Sequence, residues 1–238
     1  MTRYKLSGRE PSGREPELRA IRDMPKVSQK LTNFQELLRA AESHLSKRDV
    51  VLRPFIKKHG PCRLRPQTRH FQTLIDAIIS QQLSTKAADT ILGRFKSIYA
   101  PARFPRPAQI LATQDATLRA TGMSGAKVMF VKDLAAKAEN GAIKFSRLSR
   151  LSDEEVVETL IPIKGIGVWT AHMFLIFSLG RLDVLPVGDL GIRRAIERLY
   201  GFDHLPSAAE IEQTAEDRGW RPYCSIASWF LWRSWEEK

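Results

Sequence analysis

A short glycine-containing segment is the part of the sequence whose residue types most clearly suggest chemistry. It reads PIKGIGVWTA over residues 162–171, and we expect it to form a hairpin between two helices, the second beginning at Val168. Gly165 and Gly167 permit positive φ values and leave the backbone amides uncovered. Because the first amides of a helix are unpaired and its dipole attracts anions, the segment predicts a phosphate site, to which Lys164 adds positive charge. The alternative is an ordinary turn between two helices.

Two carboxylates follow the hairpin in the segment RLDVLPVGDL. Asp189 lies 22 residues after Gly167 and directly before a predicted helix, Leu190–Tyr200. A carboxylate at this place could stabilise positive charge that develops in a transition state, or orient a water molecule. Its position also suits an N-cap, because Asp accepts hydrogen bonds from the first amides of a helix. The two roles can coexist, whereas Asp183 is better explained by loop solvation or structural pairing.

Aromatic residues of the predicted C-terminal helix are explained by core packing. Trp229 and Trp232 are spaced three residues apart in one predicted helix, which favours core packing for them.

Hydrophobic residues recur at helical spacing through most of the chain, and these helices must position the residues named above. One stripe comprises Phe71, Leu74, Ile75, Ile78 and Ile79. Ser84 and Ser124 can each cap a further helix, and S-x-x-E capping boxes begin two more at Ser152 and Ser207. Prolines lie in connections, and neither strand-like alternation nor an Asn-Gly turn is found. The chain is therefore expected to be all-α, with about ten short helices.

The composition favours a folded protein that binds a polyanion. The 238 residues are 43% hydrophobic and 27% charged, and the net charge is +12. Residues 61–150 carry 15 basic and 5 acidic side chains, whereas residues 151–238 carry 9 basic and 14 acidic ones. Such an uneven basic excess is typical of nucleic-acid-binding proteins, although a need for solubility alone could also produce it.

Other classes of protein are excluded by the sequence. No apolar run approaches the roughly 18 residues of a membrane span, and the N-terminus lacks the apolar core of a secretory signal. Cys62 and Cys224 are too few for an iron–sulfur cluster or a cysteine-based zinc site, and a reducing cytoplasmic location is expected. We expect a flexible basic tail over residues 1–28 and a folded domain over 29–238, with the hairpin at about 160–170.

Taken together, these motifs resemble the helix-hairpin-helix DNA glycosylase superfamily and, within it, the DNA-3-methyladenine glycosylase II family. The resemblance covers about residues 60–238. It rests on the hairpin and the LPVGD loop, and on the segments IISQQLSTKAA (78–88), LRATGMSGAKVMFVKDLA (118–135) and WRPYCSIASWFLWR (220–233). It implies two all-α lobes with the active site in the cleft between them, and a monomer without a cofactor or metal. The implied partner is double-stranded DNA with alkylated bases, and the implied location is cytoplasmic and nucleoid-associated.

The resemblance also implies roles for individual residues. Asp189 matches the catalytic aspartate, which would stabilise oxocarbenium character on the deoxyribose. Residues of the hairpin would bind DNA, namely Lys164, Gly165, Ile166 and Gly167. The base pocket would consist of Trp169, Tyr223, Met173 and Gln81, with core packing as the alternative for Trp169 and Tyr223. Trp169 would stack on the extruded base, because a large aromatic face attracts a cationic, electron-poor purine by roughly 0.5–2 kcal/mol. Gln82 matches the wedge that fills the gap left by an extruded base, and Leu83 is its rival because the family's wedge is often apolar.

Three positions bear on the type of reaction. Trp169 stands where lyases such as endonuclease III carry a Schiff-base lysine, so a monofunctional glycosylase that leaves an abasic site is implied. Met173 replaces a pocket tyrosine, which leaves the range of damaged bases open, and Gly188 replaces a frequent second aspartate. Two alternatives remain: a helix-hairpin-helix module that holds DNA without chemistry, which would need neither Asp189 nor Trp169, and a glycosylase for uracil, mismatched thymine or hypoxanthine.

Overall fold

A computed structural model describes residues 27–234 of the chain, with side chains described from residue 33 onwards. This part contains 13 α-helices and one π-helical turn, and no strand. The helices are α1 (Val27–Arg48), α2 (Arg53–His59), α3 (His70–Ser80), α4 (Thr85–Ser97), α5 (Pro107–Ala112), α6 (Asp115–Ala120), α7 (Gly125–Glu139), α8 (Phe145–Leu148), α9 (Asp153–Leu160), α10 (Val168–Phe174), α11 (Leu190–Tyr200), α12 (Ala208–Asp217) and α13 (Cys224–Arg233). The π-helical turn Leu175–Leu179 continues α10.

The all-α prediction is confirmed, but the expected number of about ten helices is too low for the described part of the chain. Three of the helices, α5, α6 and α8, have four to six residues, which is too short to show a hydrophobic period. The predicted tail lies outside the described residues, apart from residues 27 and 28, which begin α1. No helix within residues 27–234 combines the length and apolar character needed to cross a membrane.

The helix starts follow the capping signals of the sequence. The hydroxyl oxygens of Ser84 and Ser124 accept hydrogen bonds from the amides three residues later, at 3.4 and 3.3 Å. Both predicted capping boxes are formed, at Ser152 and Ser207. These caps satisfy amides that have no partner within the helix, so each start is determined locally.

Contacts between helices divide the structure into two groups. The first lobe consists of α3, α4, α5, α6 and α7, in which the predicted stripe of α3 is buried against α4 and α7. The second lobe consists of α1, α2, α11 and α13, with α13 packed on the other three. Helix α10 contacts α3 of the first lobe, and its Trp169 side chain reaches Asp189 at the start of α11 in the second, so α10 joins the two lobes. A continuous hydrophobic core runs through both.

A buried carboxylate holds the second lobe together. Asp49, in the turn after α1, is fully buried, and its Oδ1 accepts hydrogen bonds from the amides of Val51 and Leu52. Its Oδ2 accepts from the Tyr200 hydroxyl at 2.6 Å and from the Trp220 indole at 2.7 Å. Burial and the neighbouring Asp49 raise the pKa of Tyr200, which therefore stays a hydrogen-bond donor. The carboxylate thus fixes the C-terminal end of α11, whose N-terminal end carries Asp189.

Candidate functional site

The hairpin between α9 and α10 is shaped by two buried isoleucines and by Gly165. The amides of Ile163 and Ile166 donate to carbonyls of the preceding turn at 3.0 Å. Gly165 has a φ of +81°, and a Cβ atom there would lie 2.2 Å from the ring of Phe130. Gly167 is the N-cap of α10 with a φ of −101°, and nothing lies within 4 Å of where its Cβ would be. Only Gly165 therefore requires a positive φ, whereas Gly167 keeps the start of α10 open.

Helix α7 supports the hairpin from one side. The backbone amide of Lys164 donates to Asp133 Oδ2 at 2.9 Å, and the Lys164 ammonium lies 4.0 Å from the sulfur of Met129. Asp133 is also paired with Lys137 at 2.6 Å. Burial opposes ionisation of Asp133, but the bonds from Lys137 and Lys164 outweigh it and hold its pKa below the usual value. The hairpin backbone is thereby fixed, while the Lys164 side chain remains exposed.

Asp189 lies at the start of α11 with both carboxylate oxygens engaged. Oδ1 accepts from the amide of Ile192 at 2.9 Å, which confirms the N-cap, and from the indole of Trp232 at 3.0 Å. Oδ2 accepts from the indole of Trp169 at 2.6 Å. The side chain is 8% exposed. Three donors therefore hold one negative charge in a single orientation, which is the arrangement that can stabilise a developing positive charge.

The two tryptophans that bind Asp189 differ in how well the sequence predicted them. Trp169 was expected to present a ring to a ligand, and it is 48% exposed. Trp232 was expected in the core; it is partly buried and packs against the core, whereas Trp229 is buried. The Trp232 ring also stacks on Phe177, with ring centroids 5.7 Å apart. A separation of three residues leaves the two side chains about 60° apart around a helix, so Trp232 lies at the edge of the core where its indole can bind Asp189.

A cleft of about 300 Å³ lies between α3 and α10. Thr73, Ala77 and Ser80 line it from α3, and Thr170, Met173 and Phe177 line it from α10 and the π-helical turn. This volume is at the lower end of small-ligand sites, roughly 300–1,000 Å³. Phe177, which lines the cleft, stacks on the Trp232 ring, and the Trp232 indole donates to Asp189.

A second cleft, of about 380 Å³, is lined by eleven residues, of which five are carboxylates and one, Arg221, is a permanent cation. The net negative charge of this cleft is unsuited to binding a polyanion such as DNA. Asp183 accepts from the Cys224 amide at 3.2 Å and pairs with Arg221 at 3.1 Å, which agrees with the structural pairing expected for it.

The turn between α3 and α4 is attached to the hairpin. Gln81 was expected to line a pocket, but its amide nitrogen donates to the Gly165 carbonyl at 2.7 Å. Gln82 has a φ of +57°, a left-handed conformation that is rare for residues other than glycine. Gln82 and Leu83 are both exposed. The turn therefore presents two side chains outward from a backbone that is fixed at its base.

Lys127, at the start of α7, fixes the same turn. Its ammonium donates to the Ile79 and Gln81 carbonyls, both at 2.7 Å. Burial lowers its pKa, and the first turn of a helix is an unfavourable place for a cation. The hydrogen bonds to the two carbonyls offset both the cost of burying the charge and the cost of placing a cation in the first helical turn. Sequence reasoning missed this role because a lysine early in a helix gives no sign of where its side chain ends.

We expect Lys127→Met to lower the free energy of unfolding by roughly 1–3 kcal/mol, because two carbonyls lose a charged donor. Thermal melting measures the effect. Lys132→Met is the matched control, since Lys132 lies on the same helix and pairs with the exposed Asp115, and it should change stability by about 0.5 kcal/mol or less. Equal melting temperatures for the two variants would show that the bonds of Lys127 do not stabilise the turn.

Apolar side chains near the hairpin and Asp189 form a further feature that the sequence did not reveal. Val168 and Leu190, which directly follow Gly167 and Asp189 in sequence, are each 50% exposed. Leu83 is 37% exposed. Exposed apolar groups beside a cleft are typical of binding surfaces.

Tyr223 lies directly before α13 and packs against the core. Its ring meets the ring of His44 edge-on at 5.2 Å, and His44 contacts the Gly219 carbonyl at 2.8 Å. This contact joins α1 to the start of α13. The proposed place of Tyr223 in a pocket therefore remains a prediction.

Cys62 and Cys224 are both buried free thiols. Burial raises the pKa of Cys62 to about 12 and also raises that of Cys224, which disfavours the reactive thiolate. Within the described part of the chain, no three His, Cys, Asp or Glu side chains are arranged to share a metal ion.

Comparison with known proteins gives one consistent result. Residues 75–221 match the family described as HhH-GPD superfamily base excision DNA repair protein. DNA-3-methyladenine glycosylase 1 of Schizosaccharomyces pombe is 38% identical over 201 residues, which cover 83% of this chain and 87% of that protein. An alkylbase DNA glycosidase-like protein of the same yeast is 36% identical, covering 81% and 92%. The structure of an S. pombe 3-methyladenine DNA glycosylase in complex with abasic DNA superposes with a TM-score of 0.74 at 37% identity, covering 83% and 97%.

Proposed function

The chain belongs to the HhH-GPD superfamily of base excision DNA repair proteins, and we propose that it is a monofunctional DNA glycosylase that releases alkylated purines from double-stranded DNA. The observation that carries this proposal is the carboxylate of Asp189, held by two indole N–H groups, one of them from Trp232, whose ring stacks on Phe177 in the lining of a ligand-sized cleft. Duplex DNA as substrate agrees with a cytoplasmic, nucleoid-associated location.

Binding to the DNA backbone is assigned to the hairpin. The amides of Gly167 and Val168 lead into α10, and Gly167 leaves room for a phosphate to approach them. Lys164 is exposed beside them, and the first lobe lies in the segment with the basic excess. These contacts carry no base information, so they position the enzyme rather than select the lesion.

Base extrusion is assigned to the turn between α3 and α4. Gln82 and Leu83 project from this turn, and one of them would fill the gap left in the stack. Extrusion costs a few kcal/mol and costs least for a weakened, damaged pair. The extruded base would enter the cleft between α3 and α10, where Met173 and Phe177 offer apolar surface beside the Trp232 ring.

The proposed chemistry is hydrolysis of the N-glycosidic bond. As the bond between C1′ and the base nitrogen breaks, its electron pair leaves with the base, and positive charge develops on the deoxyribose. The Asp189 carboxylate stabilises that charge, and a water molecule adds to C1′ and loses a proton, which leaves an abasic site. A purine alkylated on a ring nitrogen is cationic and departs as a neutral base. No general acid is therefore required.

The basic test of this function is incubation of the protein with methylated duplex DNA, followed by chromatography of the released bases. Free 3-methyladenine or 7-methylguanine is the expected product. A helix-hairpin-helix module that only holds DNA would bind the duplex and release nothing. The engaged carboxylate and the ligand-sized cleft favour the enzyme, because DNA binding alone requires neither.

We expect the protein to leave intact abasic strands and to give no adduct with borohydride. A Schiff base needs a free amine at the sugar, and the residue after the hairpin that would carry it is Trp169. Of the neighbouring lysines, Lys127 is bound to two carbonyls and Lys164 lies along α7. The measurement is gel analysis of abasic duplex before and after alkali, with a bifunctional glycosylase as the positive control. A borohydride-trapped complex would contradict the monofunctional assignment.

A further inference from the structure

One carboxylate lines the cleft between α3 and α10 without being used in the chemistry above. Asp76 lies on the face of α3 that also presents Thr73 and Ala77 to the cleft. Met173 and Phe177 lie on the opposite wall. Thr, Ser and apolar side chains make up the rest of the lining, so Asp76 is the lining residue that can carry a charge.

The carboxylate of Asp76 is poorly satisfied by the protein. Its Oδ2 accepts a long bond of 3.4 Å from the Gln72 amide. Its Oδ1 is buried and has no hydrogen-bond donor among the described residues, and the nearest ammonium, that of Lys96, is 3.9 Å away. The side-chain oxygen of Gln72, one helical turn earlier, also lacks a donor within the described part of the chain.

Such an arrangement is costly unless another group supplies donors. An ionised carboxylate can accept about four hydrogen bonds, and a buried acceptor without a donor costs roughly 1–3 kcal/mol. Burial raises the pKa of Asp76, against the opposing effects of Lys96 and the Gln72 bond. Oδ1 itself is closed to solvent, but the Asp76 side chain as a whole is 30% exposed and lines the cleft. A cationic ligand in the cleft that carries N–H groups would complement the negative charge of this side chain.

We propose that Asp76 determines lesion specificity, by favouring extruded purines that are cationic and carry amino groups over neutral damaged bases. This inference rests on the proposed function, because it requires the extruded base to occupy the cleft. Purines methylated at N3 or N7 carry a positive charge that is spread over the ring, and adenine and guanine derivatives add an exocyclic amine. Hypoxanthine is neutral and carries no exocyclic amine. A carboxylate in a partly desolvated cleft attracts the cationic bases and gives little to hypoxanthine.

The experiment compares two lesions in one duplex sequence. Single-turnover rates of base release are measured for 7-methylguanine and for hypoxanthine, with wild type and with Asp76→Asn. Asn keeps the volume of the side chain and can still accept from Gln72. We expect Asp76→Asn to lower the ratio of the 7-methylguanine rate to the hypoxanthine rate about ten-fold, mainly because 7-methylguanine is released more slowly. The ratio does not depend on the fraction of folded enzyme, so a loss of stability cannot mimic this result.

Asp89→Asn is the matched control. Asp89 is exposed on α4 in the same lobe, so this variant makes the same change in net charge without touching the cleft. It should leave the ratio unchanged, even where stronger DNA binding alters both rates. An unchanged ratio in Asp76→Asn, or an equal loss for both lesions, would overturn the inference. Failure of the wild type to release either base would instead contradict the proposed function itself.

Discussion

Replacing Asp189 with Asn should lower the rate of base release by about 10²–10³-fold, the usual effect of removing one preorganised electrostatic partner. Asn keeps an oxygen that can accept from the Ile192 amide, so the cap of α11 should survive. With its oxygen kept on Ile192 and Trp232, the Asn amide nitrogen would replace Oδ2 and face the Trp169 indole. Trp169 is exposed, so its ring can turn to relieve this mismatch. DNA binding should be kept, because a negative charge near phosphates is removed rather than added.

The measurement is single-turnover release of 7-methylguanine, with binding to an undamaged duplex followed by fluorescence anisotropy. Asp183→Asn is the matched control, since Asp183 is the other carboxylate of the same loop and pairs with Arg221 and the Cys224 amide. The Asp183→Asn variant should release 7-methylguanine at a rate within a few-fold of wild type. Wild-type activity in Asp189→Asn would remove the catalytic assignment.

Gly165→Ala should lower both stability and DNA affinity. The left-handed conformation costs about 1–2 kcal/mol for a residue with a Cβ atom. The methyl group of the alanine would also overlap the ring of Phe130. Overpacking of this kind costs roughly 1–3 kcal/mol more. For a chain of this size, the melting temperature should fall by roughly 5–15 °C. Movement of the hairpin would also displace the amides assigned to phosphate, so affinity for duplex DNA should fall at least about ten-fold.

Gly167→Ala tests whether the effect is specific to the position. Gly167 has an extended φ and open space around its Cβ position, so this variant should melt close to wild type. Equal melting temperatures for the two alanine variants would show that the left-handed conformation and the Phe130 contact do not constrain the hairpin.

The features that sequence reasoning predicted well are local ones. The capping boxes at Ser152 and Ser207, the buried stripe of α3 and the helix that follows Asp189 each depend on residues within about four positions of one another. Such interactions are the same wherever the segment lies in the fold, so the sequence shows them directly. The boundaries of the hairpin follow in the same way, because α9 ends at Leu160 shortly before Pro162, and Gly167 is the N-cap of α10.

The features that sequence reasoning missed join residues far apart in the chain. Trp232 reaches Asp189 across 43 positions, Lys127 reaches Gln81 across 46, and Gln81 reaches Gly165 across 84. Nothing local distinguishes Trp232 from Trp229, or Lys127 from the other lysines of α7. Their roles depend on the angle at which each helix crosses its neighbours, and that angle is set by packing of the whole core.

The sequence by itself therefore determined an all-α chain with a hairpin suited to phosphate and an aspartate at a helix start, because turn geometry, helical periodicity and capping are short-range. Only the tertiary structure decided which donors hold the Asp189 carboxylate, which turn is attached to the hairpin, and that Asp76 lines the cleft. Those contacts exist because helices distant in sequence pack together, and the direction of each side chain from a packed helix follows from its neighbours.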